Sequence, residues 1–423
     1  MLNRGVSPPI KNITQLLLKI PQEIALSNGI PVFVVNMGTQ DVFKIEVIFN
    51  AGRPFEQKKM VARATANLLN EGTRTKSAAE IAEQLDFYGS SLSLPVNLDT
   101  SNVILFGLNK HFDKMIHLLI DLLTAPIFPQ EELNSYLENS KQRLLVDLAQ
   151  TDVVSYRAIT EFIYGKEHPY GYNSLPELYA KITRQDLIQH WENNFIANNC
   201  KVIISGKISD AMLQKLDTYL GKLPIKELPK ENFPAIIKQT PQKVKIKQEG
   251  AVQTSIRIGR QLFNKHHPDF RGLLFLNTVL GGYFGSRLMA NIREDKGYTY
   301  NIYSTLDALH RDGYFYIGTE VGTEFAELAL KEIYKEMNLL CEEKISVNEL
   351  QMVKNYMLGN LLTMLDGTFN VSDVVKTIVT EQLGFDSFVT LVDSIHQTTP
   401  EQLQKLAQKY FRKEDMWEVV VGA

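Results

Sequence analysis

The chain has 423 residues, a length that favours two or more domains over a single hydrophobic core. Hydrophobic residues make up 44% and charged residues 22% of the sequence, as is usual for a globular protein. The formal net charge of -3 argues against nucleic acid as a partner, because phosphate binding needs a basic excess. At the N-terminus, Leu16–Leu18 is too short for a signal-peptide core, and no later run is long enough to span a bilayer. We therefore expect a soluble, cytoplasmic protein that does not bind membranes.

The first half of the chain alternates predicted strands with predicted helices. Phe43–Asn50 alternates apolar and polar residues, which predicts a strand, and the helical stretch Lys58–Leu69 follows it. A second predicted strand, Ser101–Gly107, precedes a predicted helix at His111–Leu123. Lys201–Gly206 predicts the strand that closes this half of the chain.

A segment without periodicity separates the two halves. Residues 221–242 are rich in proline and in charged side chains, which is typical of a linker. The sequence therefore predicts an N-terminal domain at residues 1–220, a linker at 221–242 and a C-terminal domain at 243–423.

The second half repeats the order of elements seen in the first. Its predicted strand Thr254–Gln261 is followed by a predicted helix at Phe270–Leu280. A second strand at Gly313–Gly318 precedes a helix at Glu324–Leu340, and Glu418–Gly422 predicts the closing strand.

Matching positions in the two halves indicate an internal duplication. The chain length between Gly107 and Gly318 nearly equals the length between Gly206 and Gly422. Agreement at two places is typical of a repeated unit. Antiparallel strands followed by blocks of helices predict an α+β fold, in which helices cover one face of a mostly antiparallel sheet in each half.

A charged and aromatic motif lies in the second half, before the strand at Gly313–Gly318. It reads Arg293-Glu-Asp-Lys-Gly297-Tyr298-Thr-Tyr300. By residue type alone, the motif favours the C-terminus of a helix, with Arg293 near the negative end of the helix dipole and Gly297 as the cap. Tyr298, Tyr300 and Tyr303 would then be ordinary strand residues.

A glycine-rich run just before this motif supplies the second part of a family resemblance. It reads Leu280-Gly-Gly-Tyr-Phe-Gly-Ser-Arg-Leu288. Together with the duplicated halves, the run and the motif make the chain similar to the pitrilysin, insulinase and mitochondrial processing peptidase family, whose active members are inverted-motif zinc peptidases. The resemblance covers nearly the whole chain, and it implies that the two halves form half of a clam-like chamber that admits peptides.

The resemblance also implies roles for residues of the second half. Arg293 and Tyr300 would hold the substrate backbone and stabilise the oxyanion that forms when water attacks the scissile carbonyl. Arginine supplies a permanent charge with forked donors, and tyrosine supplies a neutral phenol donor on a rigid ring. The residues expected to bind substrate beside this pair are Gly281, Gly282, Gly285 and Ser286.

Active members of the family bind zinc through an H-x-x-E-H motif on the first helix of the first half. Gly72-Thr73 aligns that motif with this chain, and Arg63 and Asn67 then occupy the two histidine positions. Ala66 occupies the position of the glutamate that activates water, and Leu144 that of a distant glutamate ligand. Zinc needs His, Glu, Asp or Cys ligands, and the fixed charge of an arginine repels a cation. The resemblance therefore implies no metal cofactor in this chain.

A chain with the Arg/Tyr pair but without the metal motif resembles one member of a two-chain enzyme. In such pairs, the partner subunit carries H-x-x-E-H and the zinc ion. The resemblance thus implies the non-zinc subunit of a heterodimeric zinc metalloendopeptidase, inactive alone, with short or unfolded peptides as substrates. Two alternatives stay open, a non-catalytic scaffold and a peptide-binding homodimer of the same fold.

Overall fold

Two β-sheets, one from each half of the chain, organise the structure, a computed structural model that describes residues 13–236 and 240–422. The strands are β1 (Gln22–Ala25), β2 (Pro31–Asn36), β3 (Val42–Phe49), β4 (Ser91–Ser93), β5 (Ser101–Leu108), β6 (Cys200–Gly206), β7 (Lys243–Lys247), β8 (Gln253–Gln261), β9 (Ile302–Ala308), β10 (Gly313–Gly322) and β11 (Trp417–Gly422). The helices are α1 (Val61–Asn67), α2 (Ala78–Phe87), α3 (Phe112–Thr124), α4 (Gln130–Asp147), α5 (Thr151–Tyr164), α6 (Pro176–Tyr179), α7 (Arg184–Asn194), α8 (Asp210–Leu220), α9 (Phe270–Gly281), α10 (Ala326–Glu342), α11 (Val347–Thr363), α12 (Thr368–Thr380), α13 (Asp386–Gln397) and α14 (Pro400–Tyr410). The predicted domains and linker also include residues 1–12, 237–239 and 423, which lie outside the described residues.

The first sheet has six strands in the order β1-β2-β6-β3-β5-β4. β2 and β6 run parallel, and the other neighbouring strands run antiparallel. The central strand β3 is buried from Phe43 to Phe49. Its two charged residues form an ion pair, with 3.3 Å between Lys44 Nζ and Glu46 Oε2. Lys44 Nζ also lies 2.7 Å from Oδ1 of Asp373, a residue of α12. Because buried charges are costly unless paired, this strand depends on a side chain from the other half.

The second sheet has five strands in the order β7-β11-β8-β10-β9. β7 and β11 run parallel and the remaining pairs antiparallel. This order matches that of β2-β6-β3-β5-β4 in the first sheet, and in both halves the last strand lies parallel to the first strand of the matched set. The predicted duplication and the α+β class are therefore confirmed.

Each sheet packs on one face against helices of its own half. In the first half, Val32, Val34 and Ile45 point into a core that also contains residues of α1, α3 and α8. In the second half, Ile256 and Ile317 share a core with residues of α9, α10 and α14. Alternate strand residues point to opposite faces of a sheet, so the remaining side chains need a second cover.

A helix from the opposite half covers that second face of each sheet. α5 lies on β8 and β11, where Ile159 and Ile163 join a core with Tyr316. α12 lies on β2 and β6, and its apolar residues join a core with Phe33 and Val35. The two halves thus exchange one helix each, a feature that the periodicity of the sequence did not indicate.

Polar side chains hold α5 against the second sheet. Ser155 Oγ and Ser255 Oγ lie 2.8 Å apart. The guanidinium of Arg257, whose residue is only 1% exposed, forms an ion pair with Asp152 of α5 and donates to Tyr303 Oη at 2.9 Å. A buried arginine is stable only with such partners, so the position of α5 is fixed by charge as well as by apolar packing.

The stretch between the two halves begins where α8 ends at Leu220 and finishes where β7 begins at Lys243. Of its described residues, those from Pro224 to Leu228 are exposed, yet Pro224 O accepts from Ala197 N at 2.8 Å, and Asn232 N donates to Pro54 O at 2.6 Å. Glu231 forms an ion pair with Arg311, so the stretch contacts both halves. No helix among residues 13–236 and 240–422 is long and apolar enough to cross a membrane.

Limited trypsin digestion is expected to cut first after Lys230, because this exposed residue lies in no helix or strand, whereas Lys226 is hydrogen-bonded to Asn198 and Glu192. Since α5 and α12 join the two halves, the nicked chain should elute as one species under native conditions and give two bands after denaturation. First cleavage within α5 or α12, or fragments that separate on a native column, would contradict this expectation.

Candidate functional site

Three of the four positions aligned with the zinc motif line one cavity of about 750 Å³ in the first half. Arg63 and Asn67 reach it from α1, and Leu144 reaches it from α4. Ala66 does not line the cavity, since it is buried in the interior with 2% of its surface exposed. The structure therefore brings Arg63, Asn67 and Leu144 together around one space.

The first turn of α1 is held by Glu56, a residue that the sequence analysis did not single out. Its carboxylate accepts hydrogen bonds from Met60 N at 3.1 Å, from Ala62 N at 2.9 Å and from Tyr172 Oη at 2.7 Å. Burial raises the pKa of Glu56, although these three donors oppose the shift. The acceptor is not a neighbouring N-cap side chain, so no local capping pattern could have revealed it.

The cavity is more basic than acidic. Its charged lining residues are Arg53, Arg63, Arg143, Arg157, Glu56 and Asp147. Arg157 donates to Ser174 O at 2.6 Å, and burial lowers its pKa. The basic residues come from α1, α4, α5 and the turn before α1, which are far apart in the sequence, and only Arg63 was singled out from sequence.

The cavity does not have the donors that zinc requires. Asn67 Nδ2 donates to Arg63 O at 2.8 Å, Leu144 offers only hydrocarbon, and Arg63 carries a fixed positive charge. Within residues 13–236 and 240–422, no three His, Cys, Asp or Glu side chains are grouped so that they could hold a metal ion. The residues at the aligned positions thus do not fit the zinc ion of active relatives.

Arg293 lies on a π-helical segment, Met289–Asp295, that ends as the motif predicts. Gly297 has a left-handed backbone with φ of 66°, and its N–H donates to Arg293 O at 3.2 Å. A left-handed residue at this position is what glycine supplies at low cost. The prediction of a helix C-terminus is therefore confirmed.

Tyr300 is not a packed strand residue. It precedes β9 and is 83% exposed, whereas Tyr303 lies within β9 and accepts a hydrogen bond from Arg257. The Arg293 guanidinium carbon lies 4.7 Å from the ring centre of Tyr300 and 4.9 Å from that of Phe284. The prediction of an ordinary strand residue is therefore correct for Tyr303 and wrong for Tyr300.

The glycine-rich run is divided between buried and exposed residues. Gly281 and Ser286 are buried, and Gly282 and Gly285 are exposed. A Cβ at Gly281 would lie 2.6 Å from Ser304 N, so the end of α9 needs glycine to approach β9 this closely. Of the four residues expected to contact a substrate, only Gly282 and Gly285 are open to one.

The two candidate half-sites do not meet in this chain. The residues that line the cavity in the first half fall between Arg53 and Ile182, and Arg293 and Tyr300 are not among them. The chain therefore presents a basic cavity without zinc ligands at the aligned positions and, separately, the partly buried Arg293 beside the exposed Tyr300.

Comparison with known proteins shows which family this chain is similar to. A family model described as the peptidase M16 inactive domain matches residues 181–357. A non-peptidase homolog, YmxG of Helicobacter pylori, is 26% identical over 86% of this chain and 83% of its own length. The mitochondrial-processing peptidase subunit beta of Saccharomyces cerevisiae is 22% identical over 93% of this chain and 91% of its own.

A solved structure agrees with these sequence relatives. The crystal structure of a peptidase M16 inactive domain from Pseudomonas fluorescens superposes with a TM-score of 0.85 and 21% identity, covering 95% of this chain and 97% of its own. The superposition thus covers nearly the whole chain. The resemblance to the M16, or pitrilysin, family of peptidases is therefore confirmed, and proteins described as inactive are among those that this chain is similar to.

Proposed function

We propose that the chain is the non-zinc subunit of a heterodimeric metallopeptidase, whose partner is a homologous chain that carries H-x-x-E-H and the zinc ion. The observation that carries this proposal is the pair of partly buried Arg293 and exposed Tyr300. Tyr300 is 83% exposed, and the Arg293 guanidinium forms no ion pair with any described residue. A pair retained only for packing would bury the ring and satisfy the cation.

The chemistry of the pair suits a peptide bond held by a second chain. The rings of Phe284 and Tyr300 both lie close to the Arg293 guanidinium and restrict it, which leaves its N–H groups free to donate to a peptide carbonyl. The Tyr300 hydroxyl is a neutral donor that can reach the same oxygen as negative charge develops on it. Donors that are fixed before the reaction stabilise an oxyanion without reorganisation, and this is the role we assign to both residues.

The residues at the aligned positions of the first half support a division of the reaction between two chains. The first half of this chain has neither a ligand set nor a base at its aligned positions, so it has no means to activate water. The subunit name of the yeast relative supports an enzyme built from more than one chain.

The experiment that tests the proposal is reconstitution. The chain is co-expressed with an H-x-x-E-H homologue from the same genome, and hydrolysis of an unstructured peptide is measured for each chain and for the complex. We expect substantial turnover only from the complex. If the partner alone is as active as the complex, or if this chain forms only homodimers, the scaffold or homodimer alternative replaces the proposal.

The isolated chain is expected to bind no stoichiometric zinc and to hydrolyse no peptide, because Arg63, Ala66, Asn67 and Leu144 supply neither ligand nor base. Metal analysis of the purified chain after incubation with zinc and dialysis measures this directly. The matched control is the zinc-bearing homologue treated in the same way. About one zinc retained per molecule of this chain would refute the expectation.

A further inference from the structure

The cavity beside α1 contains more positive charge than is needed to prevent zinc binding. Replacing zinc ligands by neutral residues would be enough to lose a metal. Here Arg63 occupies a ligand position, and Arg143 lies next to Leu144 on α4. Both arginines are exposed, and neither forms a side-chain hydrogen bond or an ion pair within the part of the chain that the structure describes. Two guanidinium groups are therefore available to a ligand.

Two further arginines are fixed at the cavity by neutral groups. Arg53 Nη1 donates to Pro169 O at 3.1 Å and to Tyr172 O at 2.9 Å, and its guanidinium carbon lies 4.1 Å from the ring centre of Tyr172. Arg157 donates to the carbonyl of Ser174. These hydrogen-bond partners carry no charge, although Glu56 interacts electrostatically with Arg53, and Glu161 and Asp147 do so with Arg157.

The two carboxylates of the lining do not cancel this charge. The Glu56 carboxylate already accepts three hydrogen bonds, two from backbone N–H groups at the start of α1 and one from the Tyr172 hydroxyl. Asp147 forms no ion pair with any of the four arginines. Four arginines and two carboxylates leave the cavity with an excess of positive charge, in a concave space where charge is screened less than on an open surface.

We propose that this cavity is a binding pocket for a carboxylate group of a peptide, with Arg63 and Arg143 as its direct donors. The planar fork of a guanidinium matches the two oxygens of a carboxylate, which makes arginine suited to this group. Arg53 and Arg157 are positioning residues that supply a fixed positive field. The carboxylate is either an acidic side chain or the C-terminus of the peptide.

A peptide is favoured because an open strand edge adjoins the cavity. β4 (Ser91–Ser93) is the edge strand of the first sheet, and the segment that follows it, Val96–Leu98, lines the cavity. An extended peptide can pair with such an edge through its backbone while one side group enters the pocket. The choice of a peptide rests on the proposed function, whereas the preference for an anion rests on the cavity alone.

The test is calorimetric titration of the full isolated chain with matched peptides. One short peptide alternates Glu with Ala, its analogue replaces each Glu by Gln, and both are prepared with free and with amidated C-termini. We expect the Glu peptide or the free-carboxylate form to bind at least about tenfold more tightly than its neutral counterpart. Preference for Glu identifies the side chain as the bound group, and preference for the free terminus identifies the α-carboxylate.

The variant Arg63→Gln/Arg143→Gln should remove this preference and leave the melting temperature unchanged, because both side chains are exposed. Arg74→Gln is the matched control, since Arg74 is an exposed arginine of the same half that does not line the cavity. Arg74→Gln should keep the preference for anionic peptides. The inference is overturned if neutral and anionic peptides bind alike, if neither binds, or if the double variant keeps the same preference as this control. A chain that binds anionic peptides but fails to activate a partner refutes only the proposed function.

Discussion

Replacing Tyr300 by Phe is expected to lower kcat of the complex with a zinc-bearing partner about 10²-fold or more, the usual effect of removing one oxyanion donor. The substitution deletes one hydroxyl and keeps the ring that stacks on Arg293. Folding and assembly should be unchanged, because the ring is 83% exposed. Arg293→Ala is expected to cost more, since it removes a charge and several donors.

Tyr298→Phe is the matched control for this measurement. Tyr298 belongs to the same motif, but its ring stacks on Phe325 at 5.1 Å between centroids. Steady-state kinetics of the reconstituted complex should therefore show wild-type kcat for Tyr298→Phe and a large loss for Tyr300→Phe. Equal kcat for the two variants would show that Tyr300 does not act on the substrate.

Gly318→Ala is expected to lower the free energy of unfolding by about 1–3 kcal/mol, the range for leaving a buried polar group without its hydrogen-bond partners. Gly318 lies opposite Arg257 in the β8–β10 pairing, and a Cβ on Gly318 would overlap the Arg257 guanidinium. The displaced guanidinium would lose Asp152 and Tyr303 while staying buried. Denaturant unfolding followed by circular dichroism measures the loss.

Gly359→Ala serves as the control of opposite sign. Gly359 lies within α11, and a Cβ there meets no atom within 4 Å. Alanine is favoured over glycine inside a helix by about 1 kcal/mol, so this variant should be slightly more stable than wild type. If Gly318→Ala unfolds at the same denaturant concentration as Gly359→Ala, Arg257 is not a central element of the fold.

Local patterns in the sequence were sufficient for much of the fold. Phe43–Asn50 was predicted as a strand and β3 covers Val42–Phe49, because alternation and a run of apolar residues act over a few residues. Phe270–Leu280 was likewise predicted as a helix, and α9 covers Phe270–Gly281. The exchange of α5 and α12 was not predictable, since periodicity shows that a helix has an apolar face but not which sheet that face contacts.

The candidate site was predictable only where it follows a motif. Gly72-Thr73 fixed the alignment, and the structure then places Arg63, Asn67 and Leu144 at one cavity. Arg53, Arg143 and Arg157 carried no such signal, because they come from separate elements and meet only through tertiary packing. Likewise, the sequence could not separate exposed Tyr300 from Tyr303, since both are tyrosines two positions or fewer from the start of β9.

The exchange of helices between the halves has a consequence for synthesis of the chain on the ribosome. When β6 (Cys200–Gly206) has emerged, the first sheet is complete, but α12 (Thr368–Thr380) has not been made. Phe33, Val35 and Ile203 then lie on an uncovered apolar surface. Contacts between such distant parts of a chain form slowly, and exposed apolar surface promotes aggregation. The nascent first half should therefore depend on chaperones until translation reaches α12, and a message truncated before that helix should yield an insoluble product.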